Sequence, residues 1–230
     1  MTIALGLSCA DGLVICTDGQ LTVSGGHKFQ EEKIECEEFY GATLVFSYAG
    51  LPGLWKEARN KIVHSLQKLE APFEEGPAIT PENVYNAADE VFTGMGRLYT
   101  ELNLQMLIAV GGVLHAPELF VFDRNAFYRA TDFTCLGVGE SSLVRYLADN
   151  LYRRSISKEE GKNIGIYLVS KAIQYIDGIG PPIDAIVVSG HLPEWLSEQE
   201  IKERESSMLS KEKSFLKKIV SPSSPSTTEP

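Results

Sequence analysis

A threonine at position 2, an aspartate at 18 and a lysine at 33 fall within the first strands and turns of a β-rich segment. Methionine aminopeptidase removes Met1 when the second residue is small, so Thr2 is expected to become the mature N-terminus. It then carries a hydroxyl and a free α-amine on one residue, a nucleophile and its base together. An α-amine titrates at roughly pH 7.7 to 8.0, so near neutrality an appreciable fraction can take the hydroxyl proton, directly or through water. A lysine ammonium beside it lowers that value further. Asp18 can pair with the lysine, so the three side chains suit nucleophilic attack on a carbonyl.

The elements that deliver them follow from hydrophobic alternation. Ile3, Leu5 and Leu7 alternate with Ala4, Gly6 and Ser8, which predicts a strand with one apolar and one small-residue face. Ala10-Asp11-Gly12 reads as a tight turn and residues 13–17 as the returning strand. That register brings Asp18 back beside Thr2. Residues 22–26 form a polar, glycine-rich loop, and Lys33-Ile34-Glu35-Cys36 enters a further strand.

On these residues the chain resembles the proteasome β-subunit and HslV type of N-terminal-nucleophile hydrolase. Members start with a processed Thr, followed by strand, turn, strand, an Asp-Gly-Gln or Asp-Ser-Arg triplet, and a Lys. The spacing from Thr2 to Asp18 fits without a gap, and Asp18-Gly19-Gln20 is similar to the HslV version, while Lys33 comes one residue early, a deletion assigned to the loop. Tyr48-Ala49-Gly50 resembles the family's Ala-Gly turn, which implies that the Gly50 N–H is an oxyanion donor. The same turn points to Tyr48, with Gln20 and Thr22, as residues that either shape a substrate pocket or belong to the core. The resemblance runs to about residue 195, with residues 106–111, 118–123 and 130–139 matching the family's second sheet. Two departures stand out. Gly137-Val138-Gly139 replaces the usual Gly-Ser-Gly, and Asp177-Gly178-Ile179-Gly180 retains the acid, Asp177, without the hydroxyl three residues later.

Beyond the first strands, residues 54–68 carry apolar Leu54, Ala58, Ile62, Val63 and Leu66 at helical spacing. Thr80-Pro81 supplies a cap and first-turn proline for a second helix reaching about residue 101, after a loop over 70–79. Residues 141–151 and 157–176 predict another helix pair, the latter opened by the capping box Ser157-Lys158-Glu159-Glu160, and residues 183–189 a last buried strand. Two helices after each sheet predict an α+β fold, a four-layer αββα sandwich of two antiparallel sheets flanked by helices. This domain is expected over 1–195. An amphipathic helix over 196–220, with Ile201, Met208 and Phe215 every seven residues, packs on its own domain or on a neighbouring subunit. A Ser, Pro, Thr and Glu tail over 221–230 lacks the apolar surface to order itself.

Charge and composition narrow the function. With 21 basic against 31 acidic residues, a net charge of -10 argues against nucleic acid as the main partner. Cys9, Cys16, Cys36 and Cys135 show no CxxC spacing, so reduced thiols are expected and no metal site. No apolar run approaches the roughly 18 residues that span a bilayer, and no signal peptide precedes Thr2, so a cytoplasmic protein is expected. His27, His64, His115 and His191 lack the signatures of serine, cysteine or zinc hydrolases, and no phosphate loop is present. The resemblance implies a threonine-type peptidase without cofactor, acting on peptides or unfolded proteins. It further implies self-association into rings or a helical assembly, and a separately encoded ATP-driven unfoldase. A catalytically degenerate assembly subunit and a small-molecule amidase are the alternatives.

Overall fold

The computed structural model describes residues 1–22, 26–70, 78–101, 103–123, 126–138 and 142–220. Strand β1 (Ile3–Cys9) shows why its alternation matters: Ile3, Leu5 and Leu7 enter a core under helices, while Ala4 and Gly6 face a second sheet. A β-carbon on Gly6 would meet Leu119 Cδ2 at 2.7 Å, so the small residues of β1 allow the two sheets to approach. β2 (Gly12–Asp18) returns antiparallel, with Ala4 opposite Thr17, and divides its side chains the same way. Val14 and Cys16 face the helices, Leu13 and Ile15 the other sheet.

The expected polar loop over 22–26 belongs to a short hairpin of β3 (Gln20–Thr22) and β4 (Lys28–Gln30), whose tip, residues 23–25, lies outside the described residues. The second sheet runs in the order β5 (Ile34–Phe39), β6 (Ala42–Ala49), β7 (Gln105–Gly112), β8 (Glu118–Asp123) and β9 (Ala126–Ala130). The first sheet has the order β10, β1, β2, β11, β12, with β10 at Thr134–Gly137, β11 at Ile183–Val188 and β12 at Glu194–Trp195. This corrects one expectation: residues 130–139 do not all belong to the second sheet. Of these only Ala130, the last residue of its edge strand β9, does, whereas β10 pairs with β1, Ile3 opposite Gly137. Cys135 and Leu136 enter different cores, so this segment is apolar on both faces and alternation could not choose between the sheets.

Helices α1 (Pro52–Glu70) and α2 (Pro81–Glu101) cover the second sheet, and α3 (Ser142–Leu151) and α4 (Lys158–Tyr175) cover the first. The expected capping box starts α4: Ser157 Oγ accepts from the Glu160 N–H and Ser157 N–H donates to the Glu160 carboxylate. Gly161 and Gly165 let α4 lie directly on the sheet, since a β-carbon at either would fall 2.6 Å from the sulfur of Cys9 or Cys16. The result is the four-layer sandwich, with a central core between two sheets and one further core under each helix pair.

The last helix, α5 (Glu198–Val220), is capped by Ser197, whose hydroxyl accepts from the Glu200 N–H. Its first turns bury Ile201 against the core under α4, and further contacts with α4 are the ion pairs Lys171–Glu212 and Arg204–Glu159 and hydrogen bonds to Asn163 and Ser170. Phe215, Leu216 and Ile219 at the far end are 64%, 51% and 59% exposed, so α5 packs on its own domain at one end and not at the other. The expected tail over 221–230 lies outside the described residues.

Candidate active site

Asp18 ends β2, and the antiparallel register places it beside the start of β1. Its Oδ1 accepts two hydrogen bonds, from the Ile3 N–H at 2.9 Å and from Lys33 Nζ at 2.8 Å. The lysine nitrogen therefore stands two hydrogen bonds from the Thr2–Ile3 peptide. Oδ2 accepts from the N–H groups of Gln20 and Gly180, each at 3.3 Å. Lys33, just before β5, also donates to the Gln20 carbonyl at 2.7 Å. Both charged side chains are fully buried. Burial on this scale is tolerable because the carboxylate meets four donors and the ammonium two acceptors. Desolvation pulls the Lys33 ammonium below its ordinary pKa, against the opposing pull of Asp18, Asp184 and Glu31.

Thr2 is buried, and its carbonyl accepts from the Val138 N–H at 3.0 Å. Gly137 has a φ of +70, and a β-carbon there would lie 2.1 Å from the Thr2 oxygen and 3.1 Å from Ala49 Cβ. Only glycine fits, and its absence of side chain brings the end of β6 against Thr2. Gly50 follows directly with φ +121, where a β-carbon would meet the Asn103 carbonyl at 2.7 Å. Thr2, Asp18, Lys33 and the Ala49-Gly50 turn thus converge at one end of the sandwich. Asp177 stands apart: it is exposed after α4, and its carboxylate makes no hydrogen bond or ion pair among the described residues. Its neighbour Gly178 lies under Met1, where a β-carbon would meet Met1 Cε at 2.9 Å.

The two departures from the family pattern have structural counterparts. Val138 keeps a backbone hydrogen bond to Thr2 while its side chain packs against the core under α4. Gly139, the last residue of that triplet, lies outside the described residues. At Gly180 a β-carbon would come 2.2 Å from Gln20 Oε1. Tyr48 is fully buried, its ring stacked 4.5 Å from that of Trp55 and its hydroxyl donating to Glu31 at 3.5 Å. Sequence reasoning missed Gln105, whose Oε1 accepts from the Gly137 N–H at 2.6 Å and whose amide donates to Asp123 at 2.6 Å. A glutamine heading an otherwise apolar strand, opposite Ala49, was the available signal. Asp184 was missed too. It pairs opposite Thr17 near Lys33, and burial, then Glu32 and Asp18, raise its carboxyl pKa.

Two stacked antiparallel sheets between helix pairs, with the first strand starting at a buried Asp-Lys pair, define the N-terminal-nucleophile hydrolase fold. The chain belongs to the proteasome subunit family, whose model, described as "Proteasome subunit", matches residues 2–187. Among solved structures it is similar to an Anbu (Gly-1) mutant from Hyphomicrobium sp. strain MC1, at 15% identity over 95% of this chain and 97% of that one, TM-score 0.76. Anbu (ancestral beta-subunit) from Yersinia bercovieri gives 14% identity, 93% and 96% coverage and TM-score 0.76. The helical assembly of the Anbu complex from Pseudomonas aeruginosa gives 19% identity, 99% and 100% coverage and TM-score 0.69. No curated protein matches the chain. Among the described residues no helix is long and apolar enough to cross a membrane, and no three His, Cys, Asp or Glu side chains form a metal-binding group.

Proposed function

We propose that the protein is a threonine-type amide hydrolase that cleaves peptide bonds once Met1 has been removed. The observation that carries this reading is the single buried oxygen, Asp18 Oδ1, shared by the Ile3 N–H and the Lys33 ammonium. With Met1 attached, the Thr2 nitrogen is part of a peptide and cannot act as a base. Once it is free, the Thr2 hydroxyl adds to the substrate carbonyl and its proton passes to the α-amine. Lys33 lowers the pKa of that amine and Asp18 holds Lys33. The Gly50 N–H stabilises the oxyanion. Collapse breaks the C–N bond, the leaving amine takes the proton, and water hydrolyses the Thr2 ester. Asp177 contributes negative charge from the rim, one residue before the glycine beneath Met1.

The substrate is a peptide or unfolded protein presented inside a self-assembled complex in the cytoplasm. Family membership and the likeness to a helical Anbu assembly support self-association, and a separate ATP-driven unfoldase would supply substrate. Intact mass measures Met1 removal, a threonine-reactive peptide epoxide reports the nucleophile, and fluorogenic peptides report turnover. Thr2→Ala is expected to lower turnover at least about a thousandfold with the fold retained. Unchanged turnover in that variant rules the mechanism out.

A second reading, an assembly subunit without activity, is favoured by two observations. The Val138 side chain packs against the core under α4, and the amide of Gln20 fills the space at Gly180, so neither position presents a hydroxyl to the amine. Absence of both epoxide labelling and turnover in protein that has lost Met1 selects this reading.

A further inference from the structure

Gln20 touches both halves of the candidate site, one through its backbone and the other through its side chain. Its N–H donates to Asp18 Oδ2 and its carbonyl accepts from Lys33 Nζ, so its main chain bridges the buried ion pair. Its side chain, 8% exposed as a residue, turns toward the segment after α4. Nε2 donates to Thr22 Oγ1 at 3.2 Å, and that hydroxyl donates to the Gly178 carbonyl at 3.4 Å. Oε1, Cδ and Cβ of Gln20 lie 2.2, 2.7 and 3.1 Å from the point where a β-carbon on Gly180 would stand. Gly180 in turn donates its N–H to Asp18 Oδ2. Gly178 carries the Met1 side chain, so the 178–180 turn lies against the residue whose loss frees Thr2.

We infer that Gln20 is a positioning residue, whose amide, through Thr22, seats the 178–180 turn against Asp18 and against Met1, the residue that precedes Thr2. Gln20 and Gly180 form a matched pair: the amide end of the long side chain on the hairpin occupies the place of a side chain on the turn, so a residue at 180 would have to displace it. The hydroxyl missing at 180 is thereby matched by the Gln20 amide that fills its place. The role in catalysis rests on the proposed hydrolase mechanism, while the steric pairing does not.

Four proteins test it: wild type, Gln20→Ala, Gly180→Ser and the double variant, each with Met1 removed. Thermal melting gives the pairing without reference to activity. Gly180→Ser alone should melt lower, and adding Gln20→Ala should recover most of the loss, because only Cβ then remains near the new side chain. Labelling of Thr2 by the peptide epoxide is resolved into a limiting rate and a half-saturating concentration. In Gln20→Ala the limiting rate should fall between about ten- and a hundredfold, as expected of a group misplaced by an ångström or so. The half-saturating concentration should stay within about twofold, because a positioning residue does not hold the ligand. Melting shifts that simply add overturn the pairing. An unchanged limiting rate with weakened saturation overturns the positioning role, since Gln20 would then contact the ligand itself. If no protein labels, wild type included, the hydrolase reading and the positioning role fall together, and the melting cycle still decides whether the pair exists.

Discussion

Asp18 could be placed near Thr2 from sequence because a tight turn between two alternating strands leaves one register that keeps both apolar faces buried. Lys33 followed from the family pattern, and the structure joins it to Asp18 at 2.8 Å. Gly180 was marked by the resemblance, but its N–H reaching Asp18 from beyond α4 was not legible, nor was Gln105 reaching Gly137 from the second sheet, because these groups arrive from distant parts of the chain. No local periodicity records such contacts. The environment of Lys33 makes a kinetic prediction at this scale. Its ammonium is lowered by burial, so it loses its proton at a lower pH than the ordinary lysine value of about 10.4. The epoxide-labelling rate, measured across pH, should rise as the α-amine deprotonates, near or below about pH 7.7 to 8.0. It should fall again on an alkaline limb below the ordinary lysine value. A rate still flat past that value would separate Lys33 from the chemistry.

Helix α1 is readable from its apolar spacing, and α2 and α4 from their caps, as at Ser157, where the reciprocal pair of bonds is present. β10 was misassigned, since a segment apolar on both faces fits either sheet and only its pairing with β1 decides. The close seat of α4 on β1 and β2 shows how little space separates these layers. Gly165→Ala places a methyl group 2.6 Å from the Cys16 sulfur, with backbone on one side and a packed strand on the other. The substitution should destabilise by about 1–3 kcal/mol, seen as a lower melting temperature. Cys16→Ala in the same chain removes the obstructing sulfur and should restore part of the loss. If the double variant melts no higher than Gly165→Ala alone, the seat is not what limits α4.

At the scale of the molecule, α5 is held to the domain by one buried apolar residue, Ile201, and by a set of ion pairs to α4. Lys171 pairs with Glu212, and Lys162 and Arg204 share Glu159 and Glu200 between α4 and α5. Hydrogen bonds from Lys162 and Arg204 hold Glu159 below the usual carboxylate range, and one from Lys171 does the same for Glu212. Lowered folded-state values mean that this contribution is present above the unfolded glutamate pKa of about 4.3 and lost as pH falls through the lower folded values. Hydrogen exchange below about pH 4 should therefore accelerate across Glu198–Val220 before it does in β1, β2 and β7. Simultaneous acceleration would show that α5 and the sandwich open as one unit. The seven-residue spacing predicted a helix here but not that Ile201 is buried while Phe215 stands in solvent, because one stripe cannot report where its support ends. Cys16, sealed beneath Gly165 with its thiol pKa pushed up by burial, gives the molecule an internal witness to such openings. An alkylating reagent reaches that sulfur only when the helical roof lifts from the strands beneath, so its rate of modification counts how often the sandwich breathes.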